Sequence, residues 1–168
     1  MKETFTNNLE IAMDWLYKQG GFLTVGNMGN ANTMTISWGS IGYMWRKPMF
    51  IALVREERYT NEFLKDGDTY TVSIPYGDTL KDALKICGST SGRNTNKEKR
   101  ANIKFISGKE INTPVIYGCN KYYECKIILK QPIDLDKLNE KDKEIFYKDG
   151  NTKHILYFGE IISEYENN

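Results

Sequence analysis

Histidine is nearly absent, His154 being the only one in 168 residues. A lone imidazole cannot complete a zinc site, and no Ser/His/Asp or Cys/His set stands beside it to make it a catalytic base. Cysteine is scarce as well. Cys87, Cys119 and Cys125 are odd in number and fit neither a zinc ribbon nor a CxxC redox pair, so reduced thiols in a cytosol are the simpler reading. No charge sign dominates: 23 Lys and Arg stand against 22 Asp and Glu, a formal net charge of +1, which argues against a nucleic-acid or general polyanion binder. Any anion must be met locally. No apolar run approaches the ~20 residues of a membrane span, and the N-terminus lacks the basic, apolar and small-residue succession of a signal peptide. The expectation is a soluble cytoplasmic protein with no membrane partner. Internal repeats and splitting linkers are missing too, so residues 1–168 read as one domain, long enough to bury roughly 70% of its unfolded surface.

Aromatic side chains, by contrast, are plentiful at 12%, with 11 Tyr and 3 Trp, which suits a β-rich core with amphipathic edges. Leu9, Ala12, Met13 and Leu16 share a helical stripe over Asn8 to Gln19, with Asn7 or Asn8 as N-cap and Gly20-Gly21 as stop. Phe22 to Met28 reads as a strand joined by a tight turn to the next. A short helix from Thr60 as N-cap to Lys65, a strand over Thr69 to Ile74, and a helix capped by Asp78 or Thr79 and running through Ile86 follow. The chain is expected to be irregular over Asn102 to Pro114. Long strands are expected over Tyr117 to Ile133 and His154 to Tyr165, separated by a charged, solvated segment from Asp134 to Asn151. Irregularly spaced strands with few helices fit a β-barrel with appended helices better than a βαβ array.

The stretch Asn32 to Thr60, NTMTISWGSIGYMWRKPMFIALVREERYT, organises the rest. Its first part alternates, placing Thr33, Thr35 and Ser37 on one face of a strand and Met34, Ile36 and Trp38 on the other. Gly39 and Gly42 are expected to break the run, and Pro48 to admit a new apolar strand that ends on Arg55, Arg58, Tyr59 and Thr60. Hydroxyls and cations thereby converge on one mouth, suited to a ligand with a flat aromatic part and an anionic tail. Arg55 and Arg58 have an alternative use in surface ion pairs with Glu56 or Glu57, and Trp38 and Trp45 have one in the core.

The loop GSTSGRNTNKEKR, residues 88–100, supplies Ser89, Ser91, Gly92, Arg93 and Lys97: hydroxyls, close-approaching amides and cations, the parts that hold a phosphate. It lacks the GxxxxGK[ST] spacing of a Walker loop, and a solvated basic loop is the alternative. Replacing Arg93 and Lys97 together is expected to weaken phosphate-ester binding by a few kcal/mol and leave the fold intact.

With these residues in place, the chain resembles the flavin reductase-like family with an FMN-binding split barrel, in particular its flavoredoxin-like branch. The blocks that carry the resemblance are the 32–60 stretch, ALKICGSTSGRNTNK (83–97), PVIYGCNKYYECKIILKQ (114–131) and HILYFGEI (154–161). The resemblance implies a mainly β, Greek-key split barrel with a few short helices, and FMN bound at a homodimer interface. Asn32, Thr33, Met34, Thr35, Ser37 and Trp38 would line the isoalloxazine. Arg55, Tyr59, Thr60, Ser91, Gly92, Arg93 and Lys97 would hold the ribityl phosphate, with His154 near the flavin. It implies chemistry carried by the flavin with no side-chain catalyst: an NAD(P)H:flavin reductase or a flavoredoxin-like electron carrier, with NADH or NADPH a transient visitor because no GxGxxG follows a strand. Its donor or acceptor would be a small molecule or another protein. A non-catalytic flavin-binding or sensing module on the same fold is the alternative.

Overall fold

Two hairpins form from the alternating first third of the chain, and a long closing hairpin joins them into one sheet. The computed structural model describes residues 4–148 and 152–167. Helix α1 (Leu9–Lys18) buries Ala12 and Leu16. It ends where Gly20 takes a φ of +102°, with a Cβ there falling 2.8 Å from the Ile36 carbonyl oxygen, so the expected stop has a steric reason. Strands β1 (Gly21–Asn27) and β2 (Asn30–Ile36) pair antiparallel, as expected.

The glycines after Trp38 do not break the structure. Gly39–Met44 is a strand, β3, paired with β4 (Lys47–Arg55). Gly39 allows the pairing, because a Cβ there would lie 3.0 Å from the Ile51 carbonyl oxygen and 3.1 Å from the Phe50 ring. Trp45 and Arg46, at φ +52° and +59°, make the tight turn between the two strands. Helix α2 (Tyr59–Asp66) starts one residue before the expected cap: Arg58 is the N-cap, and Thr60 lies inside the first turn. Strand β5 (Thr69–Ile74) and helix α3 (Lys81–Ser89) follow. Leu80 occupies the N-cap of α3 without a side-chain bond, so neither Asp78 nor Thr79 serves, and the helix continues to Ser89.

Helix α4 (Lys97–Ala101) is the short turn expected after the basic loop. The stretch before Pro114 is irregular except for β6 (Phe105–Ile106), which pairs with β7 (Val115–Ile116). Strands β8 (Lys121–Pro132) and β9 (His154–Glu166) form the closing hairpin. The charged segment between them is not wholly irregular: α5 (Glu140–Phe146) forms there, because the Asn139 side chain caps the Asp142 amide at 3.1 Å. The last three positions of that segment, 149–151, lie outside the described residues.

The antiparallel sheet runs in the order β2-β1-β5-β8-β9-β4-β3, so the closing hairpin bridges the two opening ones. One face curls around an apolar core that includes Leu23, Met34, Phe50, Val72, Tyr123 and Tyr157, and β2 and β4 approach across the gap without pairing. This is a mainly β split barrel. Helix α3 and β7 cover the outer face of β1 and β5 through Ala83, Leu84, Cys87, Val115 and Ile116 against Phe22, which is why β1 is buried on both sides. That packing uses the hydroxyls. Thr33 donates to the Leu23 carbonyl of β1 at 3.1 Å and Thr35 to that of Leu84 in α3 at 2.5 Å, so both hydroxyl protons go to neighbouring backbone, with Thr33 buried and Thr35 half-buried. Ser37 and Trp38 lie past the strand end and are exposed. The three cysteines are free and buried. No helix among the described residues is long and apolar enough to cross a membrane.

Candidate functional site

Burial fixes the positions of the site's backbone. Strand β4 cannot stop before Val54 without exposing core, so Arg55 lands at the barrel rim opposite His154, its partner on β9. A turn closed by the Arg58 amide on the Arg55 carbonyl at 3.1 Å then starts α2. Across the gap, Asn32 of β2 donates to the Thr60 hydroxyl at 2.8 Å, joining the two sides of the split barrel where α2 begins. Gly92 presses onto this joint: a Cβ there would lie 2.0 Å from the Asn32 side-chain oxygen and 3.0 Å from the Tyr59 ring.

Two adjoining cavities result. The first, about 260 Å³, lies between the first turn of α2 and the loop from Ser89 to Arg93, and is lined by Arg58, Thr60, Ser91, Gly92, Arg93 and Lys97 among others. Thr60, from the first turn of α2, and Arg93, from the basic loop, share it. The second, about 230 Å³, is lined by the chain from Met34 to Trp38 together with Leu53, Arg55, Arg58 and His154. Met34 and Arg58 belong to both. Of the residues expected in the site, Asn32, Met34, Tyr59, Thr60, Ser91, Gly92, Arg93 and Lys97 meet in the first cavity, and Met34, Thr35, Ser37, Trp38, Arg55 and His154 in the second. Thr33 lines neither; its hydroxyl is turned into the protein.

The cations differ in role. Lys97 is buried, its ammonium donating to the Thr33 carbonyl at 2.7 Å and the Cys87 carbonyl at 3.1 Å, which leaves one N–H of three. Arg93 is half exposed, pairs with Glu62 and lies over the Tyr59 ring at 5.3 Å. Arg58 donates to the Gly88 carbonyl at 3.0 Å. Arg55 stands apart from the phosphate-type cavity: its guanidinium donates to the Thr152 and Phe146 carbonyls at 2.7 and 3.0 Å and lies over the Tyr147 ring. The assignment of Arg55 to an anionic tail therefore shifts to the second cavity.

Positive charge is in excess here. Burial lowers the Lys97 pKa, and the nearby Arg58 charge acts in the same direction. His154 is lowered from 6.5 to about 4, by burial first and then by Arg55 and Arg58. Burial is the first cause of both shifts; a bound anion would offset only the lesser part that comes from the neighbouring arginines. Thiol chemistry is not offered, since burial raises Cys87 to about 11 and the other two thiols further still. A wider groove of about 480 Å³ on the far side of Tyr59 carries the carboxylates Glu62, Asp66 and Asp68 and no cation, so an anion belongs in the first cavity.

Tyr147 leaves no mark in the sequence, and Arg58, a candidate there, shows only part of its role. Arg58 was visible as a cation near a strand end, but its place in both cavities needs the turn at Arg55. Tyr147, whose hydroxyl lies 2.7 Å from His154 Nδ1, sits in the charged segment and left no signal.

The chain matches the flavin reductase-like domain over residues 19–168, and it belongs to that family. No curated protein matches it. Among solved structures it is similar to flavoredoxin from Methanosarcina acetivorans, at 23% identity and a TM-score of 0.69, over 89% of this chain and 69% of that one. It is similar to flavoredoxin of Desulfovibrio vulgaris (Miyazaki F) at 19% identity and a TM-score of 0.67, over 89% and 70%. The NADH:FAD oxidoreductase of Streptomyces globisporus C-1027 matches at 16% and 0.65, over 99% and 88%. At these identities the likeness is one of fold.

Proposed function

We propose that this chain is an FMN-dependent oxidoreductase, with the ribityl phosphate in the first cavity and the isoalloxazine in the second. The observation that carries the reading is the wall the cavities share. Because Met34 and Arg58 line both, a ligand with an anionic tail and a planar head can occupy the two at once. Together they fall within the ~300–1,000 Å³ of small-molecule sites. The donor set fits a phosphate: the guanidinium groups of Arg58 and Arg93, the remaining Lys97 N–H, the Ser91 hydroxyl, and amides at Gly92 and the start of α2, whereas the Ser89 and Thr90 hydroxyls donate to carbonyls of α3.

FMN, when bound, supplies a relay for hydride or single electrons. The chain's own residues orient and insulate it. Arg58, Arg93 and Lys97 anchor the phosphate, while Trp38 and Met34 present apolar surface to the ring and Arg55 and His154 present polar groups. The family and the NADH:FAD oxidoreductase neighbour support a reductase using NADH or NADPH; the flavoredoxin neighbours support an electron carrier. A homodimer belongs to this reading. Tyr43 and Trp45, exposed on the edge hairpin of β3 and β4, offer apolar surface to a second copy.

Binding of FMN and of riboflavin, followed by flavin fluorescence, tests the phosphate half. Two charge-assisted bonds at ~1.5–3 kcal/mol each should make FMN bind tighter by at least about 100-fold. Equal affinities would refute it. Anaerobic mixing with NADH or NADPH then separates the two roles: rapid bleaching of the flavin marks a reductase, and slow or no bleaching marks a carrier.

A further inference from the structure

We propose that Tyr147 locks His154 as its neutral Nε2–H tautomer, so that the chain's only histidine serves the second cavity as a hydrogen-bond donor to an acceptor edge of the planar ligand. Tyr147 is then a positioning residue. The identity of that ligand rests on the flavin reading above; the tautomer does not.

The geometry begins with the 2.7 Å contact between the Tyr147 hydroxyl and His154 Nδ1. A neutral imidazole has one donor and one acceptor nitrogen, and a phenol has one proton to give. If Nδ1 carried the proton, it would donate to the phenol oxygen, and the phenol proton would need another acceptor. Among the described residues the Tyr147 hydroxyl has none, so only water could take that proton. If Nε2 carries the proton, the phenol donates to Nδ1, which is the stronger pairing because a phenol is the better donor and an imidazole nitrogen the better acceptor, and Nε2–H is left free. Burial raises the Tyr147 pKa, which keeps its proton in place, and His154 stays uncharged at neutral pH between Arg55 and Arg58.

Tyr147 is held independently of His154. Arg55 bonds the carbonyls of Phe146 and Thr152 and lies 5.4 Å from the Tyr147 ring centroid, and Phe146 packs edge-on against Trp38 at 5.0 Å. Trp38 in turn lies against His154 at 5.3 Å. The hydroxyl is therefore aimed by backbone and ring contacts that do not need the imidazole, the condition for it to dictate the tautomer. His154 lines the second cavity, and among the described residues Nε2 makes no hydrogen bond. An Nε2–H donor suits a ring nitrogen or carbonyl, and a lone pair already bound by Tyr147 cannot act as a general base.

Because the chain has a single histidine, ¹⁵N NMR of uniformly labelled protein without ligand reads this state without assignment ambiguity. The expected spectrum has a pyrrole-like Nε2 and a pyridine-like Nδ1, giving way to a tautomer mixture in Tyr147→Phe. A pyrrole-like Nδ1 in the wild type, or an unchanged spectrum in the variant, overturns the proposal. On FMN addition, with uptake read separately from the flavin absorbance, the Nε2–H signal should shift, and Tyr147→Phe should weaken FMN and riboflavin alike by about 3- to 10-fold, as for one ordinary hydrogen bond. Flavin uptake with an unmoved Nε2–H overturns the donor role. Absence of uptake in both proteins refutes the flavin reading, while the ligand-free spectrum still decides the tautomer.

Discussion

Replacing Lys97 with Met should damage both the fold and the ligand site. The substitution keeps the length of the buried stem but removes an ammonium that joins α4 to the Thr33 carbonyl on β2 and the Cys87 carbonyl on α3. Two charge-assisted bonds at ~1.5–3 kcal/mol each set the gross loss. Against it stands the burial cost of the charge, which is the leading influence on the Lys97 pKa and disappears with the ammonium. The net destabilisation is then about 2 kcal/mol, or about 4–8 °C in unfolding temperature for a domain of this size. Thermal unfolding with and without FMN reads both effects: the ligand-free transition should fall, and the rise produced by saturating FMN should shrink. Arg93→Ala is the comparison. Its partner Glu62 is half exposed, so that pair adds little stability, and only the FMN-induced rise should diminish. An unchanged ligand-free transition in Lys97→Met would refute the tie, and an unchanged FMN effect would remove Lys97 from the phosphate site.

Gly92→Ala should loosen the joint between the halves of the barrel, because the added methyl would lie 2.0 Å from the Asn32 oxygen and must displace a side chain hydrogen-bonded to Thr60. A cost of about 1–3 kcal/mol is expected in urea unfolding, with weaker FMN binding. For His154, the folded pKa lies near 4 and the ordinary value at 6.5. Between those limits the unfolded chain binds the extra proton, so stability is present above pH 6.5 and lost as pH falls toward 4, by about 2 kcal/mol at pH 5. Urea unfolding at pH 7 and pH 5 should show this loss in the wild type, and His154→Asn should lack that part of it.

Much of the barrel was legible because its strands carry a period of two or a continuous apolar run. TYTVSI and the stretch after Pro48 became β5 and β4 with nearly the expected bounds. Strand β3 was lost to its glycines, which signal a break locally, although Gly39 in fact makes room for the Phe50 ring and the Ile51 carbonyl on β4. The hydroxyls of β2 show the limit of face arguments. Alternation sorted Thr33 and Thr35 together, but only the packing around β2 shows that the Thr33 hydroxyl proton goes to β1 and that of Thr35 to α3. Lys97 is expected from sequence as a phosphate-holding cation in a loop, but its ammonium also ties α4 to β2 and α3, so the joint replacement of Arg93 and Lys97 should cost stability as well as affinity. The meeting of residues 32–38 with 55–60 is expected from the two strands, but the joining of residues 88–97 to them could be anticipated only from resemblance, since no local pattern states which loops meet.

Arg58 makes the two cavities electrically one. Its charge helps hold down both Lys97 and His154, so an anion bound beside it acts on the second cavity as well as the first. Interactions at this range within a partly buried site are little screened by salt. Neutralising Arg58 would therefore raise the proton affinity of His154. The order of causes limits that rise: burial outweighs both arginines at His154, and a planar ligand over the second cavity would deepen the burial. The relief from a bound phosphate and the added desolvation from a ring oppose each other, and from a starting pKa of about 4 the imidazole is expected to stay neutral when the proposed ligand binds. A donor that keeps its form through loading suits a cofactor whose own charge changes during turnover, because the protein then has no proton of its own to rearrange at each step.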